Sequence, residues 1–264
     1  MPAPDPARQR AARDKLNELI AHPSRVFVIH YACQSLEANA SRGPGRVTAI
    51  AIRHLARGDT IVFSVHLEAE LKRLAPVQIL SRLDELERGM LAKFFAFLAS
   101  NRSMRFVHWN MRDATFGFAA IESRFRMLGL ESFQLPEPQK LDLARLLVDI
   151  YGSGYSGRPP IKWLAERNGL DLYGYLEASV EAEAFERGNY ALVQRSAVAK
   201  VRLKSDILYL AQARRLKTRA TWWTLNRGRI REAVEMFESH PVRAVFTLGF
   251  AGMSAGFLAV WQLF

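Results

Sequence analysis

The fold is decided by three short runs of residues: VFVIHY at 26–31, VTAIAIRH at 47–54 and TIVFSVH at 60–66. All three are rich in β-branched and aromatic residues, which pack well on the pleated surface of a sheet. Turn-forming residues separate them, Gly43-Pro44-Gly45 after the first run and Gly58-Asp59 after the second. Because consecutive strands tend to lie side by side, we predict three strands that form an antiparallel meander.

Helical patterns follow these strands and are interrupted once. Apolar residues recur at helical spacing towards the end of residues 77–100, at Leu91, Phe94, Phe95 and Leu98. The run RFVHW at 105–109 predicts a short buried strand, and residues 116–128 predict another helix. Beyond the prolines at 136 and 138 the pattern is helical to the end, with helices expected at residues 141–151, 161–168, 180–186, 190–216 and 228–239.

The order of these elements is β, β, β, α, β, α and then further helices. This is the order of the ribonuclease H-like fold, an α/β architecture in which helices flank a mixed sheet. We therefore predict that fold for residues 25–216, preceded by a helical lead-in at 1–24. A basic juxtamembrane helical segment at 217–243 and one transmembrane helix at 244–264 complete the predicted domain order.

The transmembrane prediction rests on the final segment, AVFTLGFAGMSAGFLAVWQLF at residues 244–264. It carries no charge, and about 21 residues at 1.5 Å each give a helix of roughly 32 Å, close to the thickness of the hydrocarbon core. Arginines precede it and no basic residue follows, which predicts a tail-anchored, single-pass membrane protein whose N-terminal domain is cytoplasmic. The small residues Gly252 and Gly256 favour a homodimer through this anchor. A buried core helix is the alternative.

Composition indicates a basic globular protein in a reducing compartment. Lys and Arg number 37 against 26 Asp and Glu, for a formal net charge of +11. The excess is concentrated at residues 195–231, where Asp206 is the one acidic residue. The single cysteine, Cys33, excludes an internal disulfide and a multi-cysteine zinc site. Such a charge distribution requires an anionic partner, either nucleic-acid phosphate or anionic lipid.

One part of the basic region combines positive charge with two tryptophans. The candidate binding residues are Arg214, Arg215, Lys217, Arg219, Trp222 and Trp223. Aromatic stacking beside cations suits single-stranded nucleic acid. The same mixture suits a membrane interface, where Trp lies at headgroup level and basic residues attract anionic lipid. Both interpretations stay open, and the nearby apolar segment favours the interface.

Three segments carry a resemblance to a known family: HWNMRD at 108–113, KLDLAR at 140–145 and LAERNGL at 164–170. Over about residues 25–210 the chain resembles the DEDD superfamily of 3′-5′ exonucleases. In that family a His-Asn pair lies a few residues before a catalytic Asp, and the resemblance places these three on His108, Asn110 and Asp113. It implies a 3′-5′ exonuclease fold that acts on nucleic acid.

The family's chemistry uses four carboxylates that hold two divalent ions about 4 Å apart, and oxygen ligands of this kind suit Mg²⁺ or Mn²⁺. The first motif, Asp-x-Glu, falls on His30, Tyr31 and Ala32, and a lysine, Lys200, stands about where a third-motif carboxylate belongs. The resemblance therefore implies a degenerate or atypical metal-dependent exonuclease. Its cofactor is Mg²⁺ or Mn²⁺, its metal ligands are Asp113 and His30, and the other members of its catalytic set are His108 and Asn110.

Other interpretations of these residues remain. His30 is a packed strand residue, or it joins His108 and Asp113 in a transition-metal or acid–base cluster. Asn110 and Asp113 are also suited to cap the helix that begins near residue 115. For the whole protein, the alternative to a nucleic-acid-binding function is a non-catalytic, membrane-tethered scaffold whose basic surface faces lipid.

Overall fold

The computed structural model describes residues 4–34, 44–112 and 116–220, which contain five strands and nine α-helices. The strands are β1 (Val26–Cys33), β2 (Val47–His54), β3 (Thr60–Ser64), β4 (Arg105–His108) and β5 (Lys140–Asp142). The helices are α1 (Pro6–Ala21), α2 (Val65–Leu71), α3 (Pro76–Ile79), α4 (Leu83–Ser100), α5 (Phe118–Met127), α6 (Leu143–Tyr151), α7 (Pro160–Asn168), α8 (Ala178–Glu186) and α9 (Tyr190–Gln212).

The five strands form one mixed sheet in the order β3-β2-β1-β4-β5. β2 pairs antiparallel with both β1 and β3, so the predicted meander is confirmed. β4 runs parallel to β1, and β5 runs parallel to β4. The parallel strands β1 and β4 therefore end at the same edge of the sheet, and the residues that follow them lie close together.

Both faces of the sheet are covered, which explains why its strands are almost continuously apolar. In β1, Val26, Val28 and Ala32 pack in the core that contains α1, α6 and α9. The alternate residues Phe27 and Ile29 pack in a second core with α4 and α5. Successive strand side chains point to opposite faces, so the position of any β1 residue fixes which core it meets.

The strand β5 was missed, because residues from 141 onwards were predicted to be helical. Three residues are too few to show the period-2 pattern of a strand. The strand is identified only by its pairing, which sets His108 opposite Asp142. Asp142 then begins α6, and its Oδ1 accepts hydrogen bonds from the backbone N–H groups of Ala144 at 3.0 Å and Arg145 at 3.4 Å.

The other predicted elements lie close to the observed ones. The helix predicted at 77–100 is divided into α3 and α4, and the helix predicted at 190–216 is α9, which ends at Gln212. The helical lead-in is observed as α1, whose Leu16 and Leu19 are buried in the same core as α6 and α9. The helix predicted at 228–239 lies outside the described residues.

The predicted membrane span requires a correction. Within residues 4–34, 44–112 and 116–220, no helix combines the length and hydropathy that crossing a bilayer requires. The 23-residue helix α9 is long enough, but it carries Lys200, Arg202 and Lys204. The transmembrane helix of the fold class, the tail anchor and the single-pass membrane localisation are therefore wrong for the described chain. Residues 244–264, on which they and the predicted homodimer depended, lie outside it.

A buried carboxylate joins the meander to the helices on one side of the sheet. Glu87 of α4 is 0% exposed. It accepts a hydrogen bond of 2.8 Å from the backbone N–H of Val47 and holds the Arg124 guanidinium of α5 at 2.7 to 3.0 Å. The Arg46 guanidinium lies 3.5 Å away. Burial raises the pKa of the Glu87 carboxyl, and the two arginines oppose that rise.

We predict that Glu87→Ala destabilises the protein by about 3–5 kcal/mol, because the Val47 N–H loses its acceptor and Arg124 and Arg46 keep only the exposed Asp84 as counter-charge. Urea unfolding followed by circular dichroism measures the change. The matched control is Glu85→Ala in the same helix, where a solvent-exposed carboxylate pairs with Arg82 and Lys72. The free energy of unfolding of the Glu85→Ala variant should hardly change. An equal loss of stability in both variants would contradict the role of the buried network.

Candidate functional site

A cavity of about 480 Å³ opens at the edge where β1 and β4 end. Residues 30–33 of β1 form one side, and Trp109 and Asn110, which follow β4, form another. Helices α8 and α9 close it with Glu181, Lys200 and Lys204. This is the place at which the exonuclease resemblance puts the first and third catalytic motifs.

Lys204 is the most deeply buried polar group of the cavity, with 1% of its surface exposed. Its Nζ lies 3.2 Å from the backbone oxygen of Ile29 and 3.1 Å from Nδ1 of His30. Burial lowers the pKa of the Lys204 amine from 10.5 to about 7. The positive charge of the neighbouring Lys200 also lowers this pKa, and the negative charge of Glu181 raises it by less. Near neutral pH this amine therefore exists in both its charged and its neutral form.

His30 is held as a neutral imidazole. Burial lowers its pKa well below 6.5, and the positive charges of Lys204 and Lys200 act in the same direction. When the Lys204 amine is charged it has only donors, so in that form Nδ1 accepts from it and the ring proton lies on Nε2. Nε2 is buried, and no described residue is its hydrogen-bond partner. An N–H donor is thus left unused at the cavity.

A buried ion pair lies beside His30. The Lys200 amine and a Glu181 oxygen, Oε2, are 2.6 Å apart, and both side chains are 6% exposed. The other carboxylate oxygen, Oε1, is buried without a hydrogen-bond partner among the described residues. Burial lowers the pKa of Lys200, which Glu181 opposes. The Lys200 amine also lies 5.5 Å from the centre of the Tyr175 ring, a cation–π geometry.

His108 lies on the other face of the sheet from His30. Val28 of β1 pairs with Val107 of β4, so these two side chains lie on one face of the sheet. His30 is two residues after Val28 and lies on that same face, whereas His108 is one residue after Val107 and lies on the opposite face. The rings of His108 and Phe118 form a T-shaped pair with centres 5.6 Å apart, and Nδ1 of His108 accepts from the Met111 backbone N–H at 3.2 Å.

The predicted cluster of His30, His108 and Asp113 is therefore not assembled. His30 and His108 face different cores, and burial lowers the pKa of His108 to about 4, so it too is neutral. Asp113 lies outside the described residues. Within those residues no group of three or more His, Cys, Asp or Glu side chains could hold a metal ion.

Asn110 lines the cavity but does not cap the next helix. It has a left-handed backbone, with φ of 53°, and Gly117 rather than Asn110 precedes α5. Its backbone N–H donates to Asp142 Oδ1 at 3.1 Å, while Asp142 Oδ2 lies 2.5 Å from Arg112. Asp142 therefore fixes the turn after β4 as well as capping α6, a role that sequence reasoning missed.

The predicted basic residues divide between two places. Arg214 and Lys217 line a groove of about 820 Å³ together with Arg10, Arg13 and Arg167. Arg215 and Arg219 are exposed beside it. Trp222 and Trp223 lie outside the described residues.

A second groove, of about 760 Å³, contains Arg112, Arg145 and Arg158. It shares Trp109, Asn110 and Pro159 with the central cavity, so the two lie side by side.

The buried pair of Glu181 and Lys200 is also not evident from the sequence. Lys200 lies on a different helix from Glu181, so spacing within α8 gives no sign of the pair. A signal exists in α9, where Lys200 and Lys204 are one turn apart on the stripe that also carries Ala197, Val201 and Leu208.

No family model matches the sequence, and no curated protein or solved structure matches it either. The exonuclease resemblance accordingly stays a prediction, and the site is interpreted from its own geometry.

The depressed pKa of Lys204 predicts a particular dependence of stability on pH. Between about pH 7 and the ordinary lysine value of 10.5, the unfolded chain binds a proton that the folded chain lacks. Stability should rise with pH over that interval, by at most about 1.4 kcal/mol per pH unit from this group. In Lys204→Met this part of the rise disappears.

Urea unfolding at pH 6.5, 8 and 9.5 measures the effect. The matched control is Lys162→Met, which removes a partly exposed amine whose pKa is raised by Glu177. The control should keep the rise between pH 7 and 9.5. An unchanged rise in Lys204→Met would contradict the depressed pKa.

Proposed function

We propose that this protein binds single-stranded nucleic acid at the central cavity and its adjoining arginine groove, without the two-metal hydrolysis of the exonucleases it resembles. The observation that carries the proposal is the Lys204 amine, 3.1 Å from His30 of β1. Where the resemblance expects metal-binding carboxylates in the first and third motifs, this chain has His30 and Lys200.

The carboxylates that do line the cavity are already neutralised. Glu181 pairs with Lys200 at 2.6 Å, and Glu177 pairs with Lys162 at 2.8 Å. A divalent ion would have to displace a buried lysine from Glu181 and leave that charge uncompensated, which is costly in a low-dielectric site. Two metals held by four carboxylates are the basis of the exonuclease mechanism. The paired state of these groups favours binding without hydrolysis.

Positive charge surrounds the approach to the cavity. The groove with Arg112, Arg145 and Arg158 adjoins it, and all three residues are exposed. Arg112 pairs with Asp142 and Arg145 pairs with Asp149. Arg158 has no ion-pair partner among the described residues, so its guanidinium is the one most available to a phosphate. Arginine forks suit phosphate oxygens, and a strand laid along such a groove gains affinity by releasing counterions. The separate groove at Arg214 and Lys217 offers a further phosphate contact.

The fold agrees with this proposal without establishing it. A mixed sheet whose first three strands are an antiparallel meander is what the ribonuclease H-like interpretation requires. A fold alone does not imply a function, so the proposal rests on the charges of the cavity and the adjoining groove.

We predict that the full-length chain binds fluorescein-labelled single-stranded DNA or RNA of about 20 nucleotides with an affinity that falls steeply with salt. EDTA should leave the affinity unchanged, because no metal takes part. Arg158→Glu should weaken binding about three- to tenfold and lower the slope of log affinity against log salt by about 1. Fluorescence anisotropy measures both quantities.

The matched control is Arg102→Glu, an exposed arginine that precedes β4 at the opposite end of the parallel strands. It should bind as the unaltered chain does. Absence of salt-dependent binding, or equal loss in the two variants, would contradict the proposal and favour a scaffold that binds no nucleic acid.

A further inference from the structure

The groove of about 820 Å³ lies between α1 and the segment that follows α9, and we call it the α1 groove. Among the described residues that line it, one is acidic, Asp14, and five are basic: Arg10, Arg13, Arg167, Arg214 and Lys217. No described residue forms an ion pair with Arg10, Arg167, Arg214 or Lys217, and all four are exposed. A groove lined by charges of one sign favours a ligand that carries several charges of the other.

The backbone that forms the α1 groove is held in place by contacts with the rest of the fold. Leu216, beyond the end of α9, is 7% exposed and packs in the core. The Asn168 side chain of α7 accepts from the Lys217 backbone N–H at 2.7 Å and donates to the Lys217 backbone oxygen at 3.0 Å. On the other side, Arg13 of α1 donates to the backbone oxygen of Ala211 at 2.8 Å. The groove is therefore formed before a ligand binds, which lowers the cost of binding.

The α1 groove lies next to the arginine groove of Arg112, Arg145 and Arg158. Thr218 lines the α1 groove, and Tyr155 lines the arginine groove. Arg219 follows Thr218, and its backbone N–H donates to the Tyr155 backbone oxygen at 2.8 Å. Because consecutive Cα atoms are about 3.8 Å apart, the backbones of the two grooves come within about 10 Å of each other there. The exposed Arg219 lies between them.

A nucleic-acid strand fits this arrangement better than a membrane surface does. Phosphates follow one another at about 3.4 Å in a stacked strand, so a few nucleotides cover the distance between the grooves. Attachment to a bilayer surface also uses apolar side chains that enter the headgroup region. None of the described residues with an exposed, large apolar side chain lines the α1 groove.

We propose that one strand occupies both grooves. From the arginine groove it passes Arg219 and continues into the α1 groove, where its phosphates contact Arg10 and Lys217. These contacts add affinity and salt dependence without reading the bases, because they are made to the backbone of the strand. The inference rests on the proposed function, since it extends the path of the same strand away from the central cavity.

The test is a double-mutant cycle on the full-length chain, with fluorescein-labelled single-stranded DNA and RNA of about 20 nucleotides. Arg158→Glu changes the arginine groove, and Lys217→Glu changes the α1 groove. If one strand contacts both, each variant weakens binding about three- to tenfold and lowers the slope of log affinity against log salt by about 1. The double variant should then show about the product of the two losses, about 10- to 100-fold. Fluorescence anisotropy measures all four affinities.

The matched control is Lys15→Glu, which makes the same change of charge at an exposed lysine of α1 that lines neither groove. It should bind the strands as the unaltered chain does. Far-ultraviolet circular dichroism establishes that each variant is folded. An equal loss of affinity in Lys15→Glu and Lys217→Glu overturns the inference, because the effect would then be one of net charge.

The outcomes separate this inference from the proposed function. If Arg158→Glu weakens binding and Lys217→Glu does not, the shared path is overturned and the proposed function stands. If the grooves bind strands as alternatives, each single variant should cost at most about twofold, because one intact site remains, and that result overturns the shared path as well. Absence of salt-dependent strand binding by the unaltered chain overturns the proposed function itself.

A membrane surface is the remaining occupant to test. The same variants are sedimented with vesicles of phosphatidylcholine alone and of phosphatidylcholine with phosphatidylserine. Phosphatidylserine-dependent sedimentation that is lost in Lys217→Glu, together with unchanged strand binding in that variant, assigns the α1 groove to lipid and overturns the inference. Loss of strand binding in Lys217→Glu with no sedimentation of the unaltered chain supports it.

Discussion

A lysine amine buried between β1 and α9 determines the character of this site. Removing Lys204 from water disfavours its charged form, and its two contacts, with Ile29 and His30, only partly replace hydration. Burial keeps His30 neutral, the charge of Lys204 acts in the same direction, and the charged amine directs the ring proton to Nε2. The same amine attaches the longest described helix to the central strand, so the site and the packing depend on one group.

The sheet was largely predictable because its information is local. The runs at 26–31 and 47–54 are buried on both faces, and continuous apolar strands show this in the sequence. The strand β5 was not predictable, because three residues carry no period and its existence depends on pairing with β4. The corrected membrane prediction depended on a segment outside the described residues, whereas the longest described helix, α9, carries Lys200, Arg202 and Lys204.

The site was less predictable, since its contacts join distant parts of the chain. His30 was identified because the first motif of the resemblance falls on it. The predicted cluster of His30 with His108 does not form, because the register of β1 and β4 puts the two side chains on opposite faces of the sheet. Glu181 and Lys200 meet from different helices, so charge patterning within either helix could not reveal the pair.

In our proposal, lysines occupy the site at which the resemblance expects metal ions, so that a strand is held and not cut. The most direct test is a time course of the full-length chain with end-labelled single-stranded DNA and RNA in Mg²⁺, in Mn²⁺ and in EDTA. Strands that keep their full length in every condition are the predicted result. Metal-dependent shortening that is lost in Asp113→Ala would contradict it.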